Sequence, residues 1–217
     1  MTPETPWLLT PGPLTTSLSV KQAMLRDWGS RDGDFIAMSG RIRERLVGLA
    51  GGGDDYVCVP MQGSGTFAIE AGIGTLLPRG GKLLVLVNGA YGERMRRIAQ
   101  MMGRATCTIE TAEDVPVSAE DLERALGEDA SVTHVAVVHC ETTSGILNPV
   151  EAVAEVCAAH GRALIIDAMS AFGALPLDAR RLRRSRGSGS RSGANGPSKC
   201  RRVLDGAHSS VGRAADS

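Results

Sequence analysis

The sequence predicts an α/β domain built on a mostly parallel, doubly wound sheet. Two patterns carry that reading. Short apolar runs such as Leu83-Leu84-Val85-Leu86-Val87 and Ala163-Leu164-Ile165-Ile166 lack polar alternation, as expected of strands covered on both faces. Amphipathic segments of helical period separate them, which calls for right-handed crossovers between parallel neighbours. A hydrophobic content of 42% in 217 residues is enough for a sizeable core.

The elements follow in order. Leu8 to Pro13 is an extended arm, because each proline restricts its own φ and the residue before it. Ser19–Trp28 reads as a short helix. Ile36–Ala50 reads as an amphipathic one, with Ile42, Leu46 and Leu49 on one face and Gly51-Gly52-Gly53 ending it. Tyr56–Pro60 reads as a strand, Thr66–Leu77 as a helix, Lys82–Asn88 as a strand and Tyr91–Met102 as a helix. A strand over Ala105–Ile109 comes next, then a helix over Ser118–Leu126 capped by its serine, and a strand over Val132–Cys140. Pro149–His160 and Ala163–Asp167 complete the series as helix and strand.

Ligands of such sheets bind beyond the carboxyl ends of the strands. Four polar clusters fall there: Gly63–Thr66, Asn88–Gly92, His139–Gly145 and Asp167–Ser170. In the first, Met61-Gln62-Gly63-Ser64-Gly65-Thr66, two glycines allow a sharp turn and a close approach to a ligand. The helix that follows offers unpaired N–H groups and a partial positive charge, which suit a phosphate or carboxylate. A turn that binds nothing has the same composition, an aspartate such as Asp167 can simply cap a turn, and Tyr91 can be a core tyrosine. The convergence of four clusters on one rim is what marks a site.

A phosphate-suited turn together with a carboxylate ending a buried strand suggests pyridoxal 5'-phosphate (PLP), which needs both of these and a lysine. The runs Leu9–Thr16, Gln62–Phe67, Asn88–Met95, His139–Pro149 and Asp167–Gly173 together resemble the fold-type I, class V aminotransferases, over residues 8 to about 182. The resemblance is to the phosphonate branch of that family. It implies transfer of the amine of 2-aminoethylphosphonate to pyruvate, giving phosphonoacetaldehyde and alanine through a covalent intermediate. Other members acting on alanine or serine with glyoxylate or pyruvate, or a non-catalytic fragment of the fold, are the alternatives. By the resemblance, Ser64, Gly65 and Thr66 hold the PLP phosphate, Tyr91 stacks on the pyridine ring and Thr142 contacts the ring substituents. Asp167 pairs with the pyridinium nitrogen, and His139 and Glu141 shape the rim.

The lysine departs from the family pattern. The chain has only Lys21, Lys82 and Lys199, and the family slot falls near Ser192-Gly193. Ser198-Lys199-Cys200 echoes the family context several residues late, which makes Lys199 the candidate catalytic lysine beside Asp167. Residues 1–179 hold 14 Lys and Arg against 22 Asp and Glu, whereas residues 180–217 hold 10 against 2. Arg180 to Ser192 carries one apolar residue, so no order is expected there. We therefore expect residues 1–182 to be a partial large domain, truncated relative to the family. Residues 183–217 are expected to be an Arg/Ser/Gly-rich tail of aberrant origin, such as a frame-shifted or fused product, or disordered. Without an aromatic residue from 180 to 217, that tail is poorly suited to stacking bases, and no nucleic-acid partner is expected. A homodimer is expected of a complete chain. Five widely spaced cysteines without a Cys-x-x-Cys pair, no signal peptide and no membrane span point to the cytoplasm; no metal site is expected.

Overall fold

The computed structural model describes residues 7–10, 12, 14–182 and, as backbone, 183–184 and 203–205. Chain order is α1 (Leu18–Ala23), α2 (Gly33–Leu49), α3 (Gly65–Leu76), β1 (Lys82–Val87), α4 (Ala90–Met101), β2 (Ala105–Glu110), α5 (Ala119–Glu128) and β3 (Val132–Val138). It continues with β4 (Cys140–Glu141), β5 (Ile146–Leu147), α6 (Val150–Ala159), β6 (Ala163–Asp167), α7 (Ala179–Arg184) and β7 (Val203–Asp205).

Five strands form one parallel sheet in the order β2-β1-β3-β6-β7, while β4 and β5 make a small antiparallel hairpin at its edge. The period of two along each strand sorts its side chains between two cores. Leu84, Leu86, Val135, Val137, Leu164 and Ile166 face the layer of α5, α6 and α7. Leu83, Val85, Val87, Ala136, Val138 and Ile165 meet Ile69 and Ile73 of α3 and Met95, Ile98 and Ala99 of α4. Both faces are thus apolar, which explains the unbroken hydrophobic runs. Full burial of each such side chain contributes roughly 1.5–3 kcal/mol.

Close packing of α4 on β1 depends on Gly92. A Cβ there would lie 3.1 Å from the Leu86 carbonyl oxygen and from Val87 Cα. Ser118 caps α5 as expected, its hydroxyl accepting from the Asp121 N–H at 3.0 Å.

Two expectations need correction. Tyr56–Pro60 forms no strand: it joins no ladder among the described residues, and Val57 and Val59 are exposed. An apolar run marks what can pair, but a strand exists only where a partner edge is present. Arg180 to Arg184 is ordered as part of α7, because Leu182 and Ala179 are buried and Leu182 joins the core beside α6. The Ala179 carbonyl also accepts from the Tyr56 hydroxyl at 2.7 Å, and Arg180 donates to the Gly52 carbonyl at 3.1 Å. At the far edge of the sheet β7 pairs with β6, with Ile165 opposite Val203 and Asp167 opposite Asp205.

Candidate active site

The carboxyl ends of β1, β3 and β6 lie at one edge of the sheet, and the loops leaving them assemble the site. Asn88 and Asn148, both fully buried, tie these loops together. The Asn88 amide donates to Asn148 Oδ1 at 2.9 Å, and the Asn148 amide returns a bond to Asn88 Oδ1 at 3.1 Å. Asn88 also donates to the Val115 carbonyl and Asn148 to the Val138 carbonyl, while the Val117 N–H donates to Asn148 Oδ1. Such a satisfied network holds the ends of β1 and β3 and the loop before α5 in one arrangement. Both asparagines lie within the sequence motifs, Asn88–Met95 and His139–Pro149, without a role that sequence assigns them. Their only local signal is an amide placed immediately after an apolar strand or before a helix.

Glu141 is completely buried at the first turn of α4. Its Oε2 accepts from the N–H groups of Tyr91 (3.2 Å) and Gly92 (3.4 Å), and its Oε1 from the N–H (3.3 Å) and hydroxyl (2.9 Å) of Thr143. A carboxylate at a helix N-terminus is favoured by the dipole as well as by these donors. The chain makes room for it with Gly89, where a Cβ would lie 2.4 Å from Glu141 Cγ. Glu141 therefore ties the first turn of α4, at Tyr91, to the hairpin loop that begins at Thr142. It shapes the rim, as expected.

Asp167 ends β6 and is 6% exposed. Its Oδ1 accepts from the Met169 N–H at 3.0 Å, while the backbone carbonyl accepts from the His139 N–H at 2.7 Å. Burial pushes the carboxyl above its ordinary 3.8, with the Met169 N–H and Arg94 acting in the opposite direction and Glu141 reinforcing the rise. Among the described residues no cation forms an ion pair with it. The Thr142 hydroxyl shares a hydrogen bond with Ser170, three residues past Asp167. His139 is buried as well; burial lowers its pKa, Glu151 partly offsets that, and its Nδ1 has no hydrogen-bond partner among the described residues.

On the neighbouring element, Ser64 caps α3, its hydroxyl accepting from the Phe67 N–H at 3.4 Å. Gly63 sits at φ +140°, where a Cβ would also meet the Phe67 side chain at 2.9 Å, so the sharp turn requires glycine. Thr66 Oγ1 accepts from Arg94 Nη1 at 3.2 Å, and the Arg94 guanidinium lies 4.5 Å from the centre of the Tyr91 ring. The first turns of α3 and α4 therefore meet on the same side of the sheet as Asp167. Ser64, Gly65, Thr66, Tyr91, Thr142 and Asp167 gather at one edge. Lys199 lies outside the described residues. Lys82 is at the opposite, amino end of β1, bound to Asp129 at 2.6 Å, and Lys21 is on α1.

The model for the family described as aminotransferase class-V matches residues 19–184. The chain belongs to the class V aminotransferases. These enzymes depend on PLP, and the residues at the rim fit that group: a helix N-terminus, at α3, whose positive end suits a phosphate, and a buried carboxylate without an ion-pair partner among the described residues for a ring cation. The chain is 58% identical over 177 residues to the 2-aminoethylphosphonate–pyruvate transaminase of Pseudomonas putida F1, covering 82% of this chain and 48% of that one. It is 55% identical to the enzyme of the same name from Pseudomonas aeruginosa, at the same coverage. Among solved structures, alanine–glyoxylate aminotransferase from Nostoc superposes with a TM-score of 0.75 at 31% identity, covering 84% of this chain and 48% of that one. Pyridoxamine–pyruvate aminotransferase from Mesorhizobium loti shares the fold at a TM-score of 0.74 and 24% identity, covering 81% and 44%. The chain spans about half the length of the curated relatives it matches.

Proposed function

We propose that this class V chain carries the cofactor-binding part of a 2-aminoethylphosphonate–pyruvate transaminase. The observation that carries the reading is the gathering of Thr66, Tyr91, Thr142 and Asp167 about one sheet edge, linked through Arg94 and the Glu141 clamp. The 55–58% identity to two transaminases of that name supports the substrate pair, 2-aminoethylphosphonate and pyruvate.

PLP, when bound, supplies a protonated pyridine ring that draws electrons from the substrate carbon bearing the amine. The chain's own residues hold and poise it. Ser64, Gly65 and Thr66 offer the phosphate N–H and hydroxyl donors at the positive end of α3. Tyr91, set by Glu141, presents a flat ring for stacking. Thr142 offers a hydroxyl for a ring substituent. Asp167 keeps a proton on the ring nitrogen: an added cation pairs the buried carboxylate and reverses the cost of ionising it. The reaction also needs an amine that bonds the cofactor's aldehyde and moves the proton at the substrate carbon. With Lys82 at the wrong end of the sheet and Lys21 on α1, Lys199 is the residue we assign to it.

A second copy of this chain is the expected partner. α1 and α2 bury no residue, and α2 leaves its apolar Ile36, Ile42 and Leu49 exposed together with Trp7 and Leu9 of the arm. Cys58, Cys107 and Cys140 are free thiols among the described residues, which supports a reducing cytoplasm. Among the described residues no helix is long and apolar enough to cross a membrane, and no cluster of metal-binding side chains is present.

The absorbance spectrum of the purified chain with added PLP tests this reading. A band near that of a lysine-bound cofactor, absent in Lys199→Ala, is expected. Spectra that are identical in the two proteins overturn the assignment of Lys199, and no spectral change in either overturns the cofactor reading for this chain.

A further inference from the structure

Arg94 has no role in the reading so far, yet its side chain touches two of the proposed cofactor-binding residues at once, Thr66 and Tyr91. It lies one turn after Tyr91 on α4, with Nη1 on Thr66 Oγ1 at 3.2 Å and the guanidinium carbon 4.5 Å from the Tyr91 ring centre. Its charge also reaches Asp167, where it acts against the effect of burial. Three consequences follow from elementary chemistry. A hydroxyl that accepts from a guanidinium has its own O–H left to donate elsewhere, so Arg94 holds Thr66 as a donor for an incoming oxygen. Stacking on the ring fixes the plane of the Tyr91 side chain relative to the α3 turn. Five N–H donors in a planar fork leave several free after the single bond to Thr66, and the fork matches a phosphoryl group.

We propose that Arg94 is a phosphate-binding residue of the site, adding a mobile cation to the fixed N–H and hydroxyl donors of Ser64, Gly65 and Thr66. The proposal rests on the cofactor reading above and deepens it. A dianion at the α3 turn meets one full positive charge from α4 besides the partial charge of the helix end. Arg94 is exposed, so its arm can follow the ligand without unpacking the core.

The test uses two probes that do not need the lysine: 4'-deoxypyridoxine 5'-phosphate and 4'-deoxypyridoxine, which differ only in the phosphate. Dissociation constants are measured by calorimetry for the wild-type chain, Arg94→Met and Arg94→Lys, with circular dichroism confirming that each variant is folded. Arg94→Met is expected to bind the phosphorylated probe about 10-fold more weakly, the loss of one charge-assisted contact at an exposed site, with the phosphate-free probe unchanged. Arg94→Lys is expected to recover part of that loss. Equal weakening for both probes overturns the proposal, since Arg94 then acts only through the Tyr91 ring. No change for either probe overturns it as well. If the wild-type chain binds neither probe, the cofactor reading itself falls and takes the proposal with it, an outcome distinct from the other two.

Discussion

Replacing Glu141 by glutamine keeps the shape of a completely buried side chain and changes only its bonding. Oε2 serves the N–H groups of Tyr91 and Gly92, and Oε1 serves the N–H and hydroxyl of Thr143. An amide has a single oxygen; with its NH2 toward Thr143 the hydroxyl can turn to accept, but the Thr143 N–H loses its acceptor, and in the other orientation the N–H groups of α4 face the NH2. A buried donor left without an acceptor costs about 1–3 kcal/mol, and the bonds of 3.2–3.4 Å to Tyr91 and Gly92 argue for the lower end of that range. Removing the negative charge from the α4 N-terminus costs about 0.3–1 kcal/mol more. Together these place Glu141→Gln at about 1–2 kcal/mol of lost stability. Urea unfolding reads this as a lower midpoint with an unchanged m-value. A double-mutant cycle with Thr143→Val should show a coupling above about 0.5 kcal/mol, as expected for groups in direct contact. A loss below about 0.5 kcal/mol, with no coupling, refutes the clamp.

Asp167→Asn carries a pH signature. Because burial raises the folded pKa above 3.8, the folded chain holds this proton more tightly than the unfolded one. The stability so gained is complete below about pH 4 and disappears as pH rises through the folded pKa. Asparagine has no such dependence, so the stability of the variant relative to wild type should grow from pH 3.5 to pH 7; a constant difference between the two curves contradicts the raised pKa. Leu164→Ala, emptying a fully buried position shared by β6 and the core under α6, should cost about 2–5 kcal/mol in the same unfolding assay. Placing serine at Ile42 on the exposed face of α2 should lower the self-association seen by sedimentation without lowering the unfolding midpoint of the monomer, and an unchanged association constant contradicts a role for that face.

The fold was legible wherever burial on both faces left an uninterrupted apolar run. Lys82–Val87, Val132–Val138 and Ala163–Asp167 are strands within a residue or two of expectation, and the helices between them follow the same pattern. Tyr56–Pro60 was not legible, because strand formation depends on a neighbour that local composition does not report. α7 was missed for the opposite reason: averaging over thirteen arginine-rich residues hides that Ala179 and Leu182, three apart, suffice to seat one helical turn pair on the core. At the site, residues with their own chemistry and motif could be proposed from sequence. Asn88 and Asn148 are 60 positions apart, and Thr66 and Arg94 28 apart, so their pairing exists only after the sheet has brought the loops together.

The account stands or falls on whether one ligand engages the α3 turn and the end of β6 simultaneously. Calorimetric titration of PLP into the wild-type chain, Thr66→Val and Asp167→Ala measures this most directly. The account predicts one PLP per chain in the wild type and binding weakened by about 10-fold or more in each variant, the scale of one lost charge-assisted contact. Full-strength binding in either variant contradicts it.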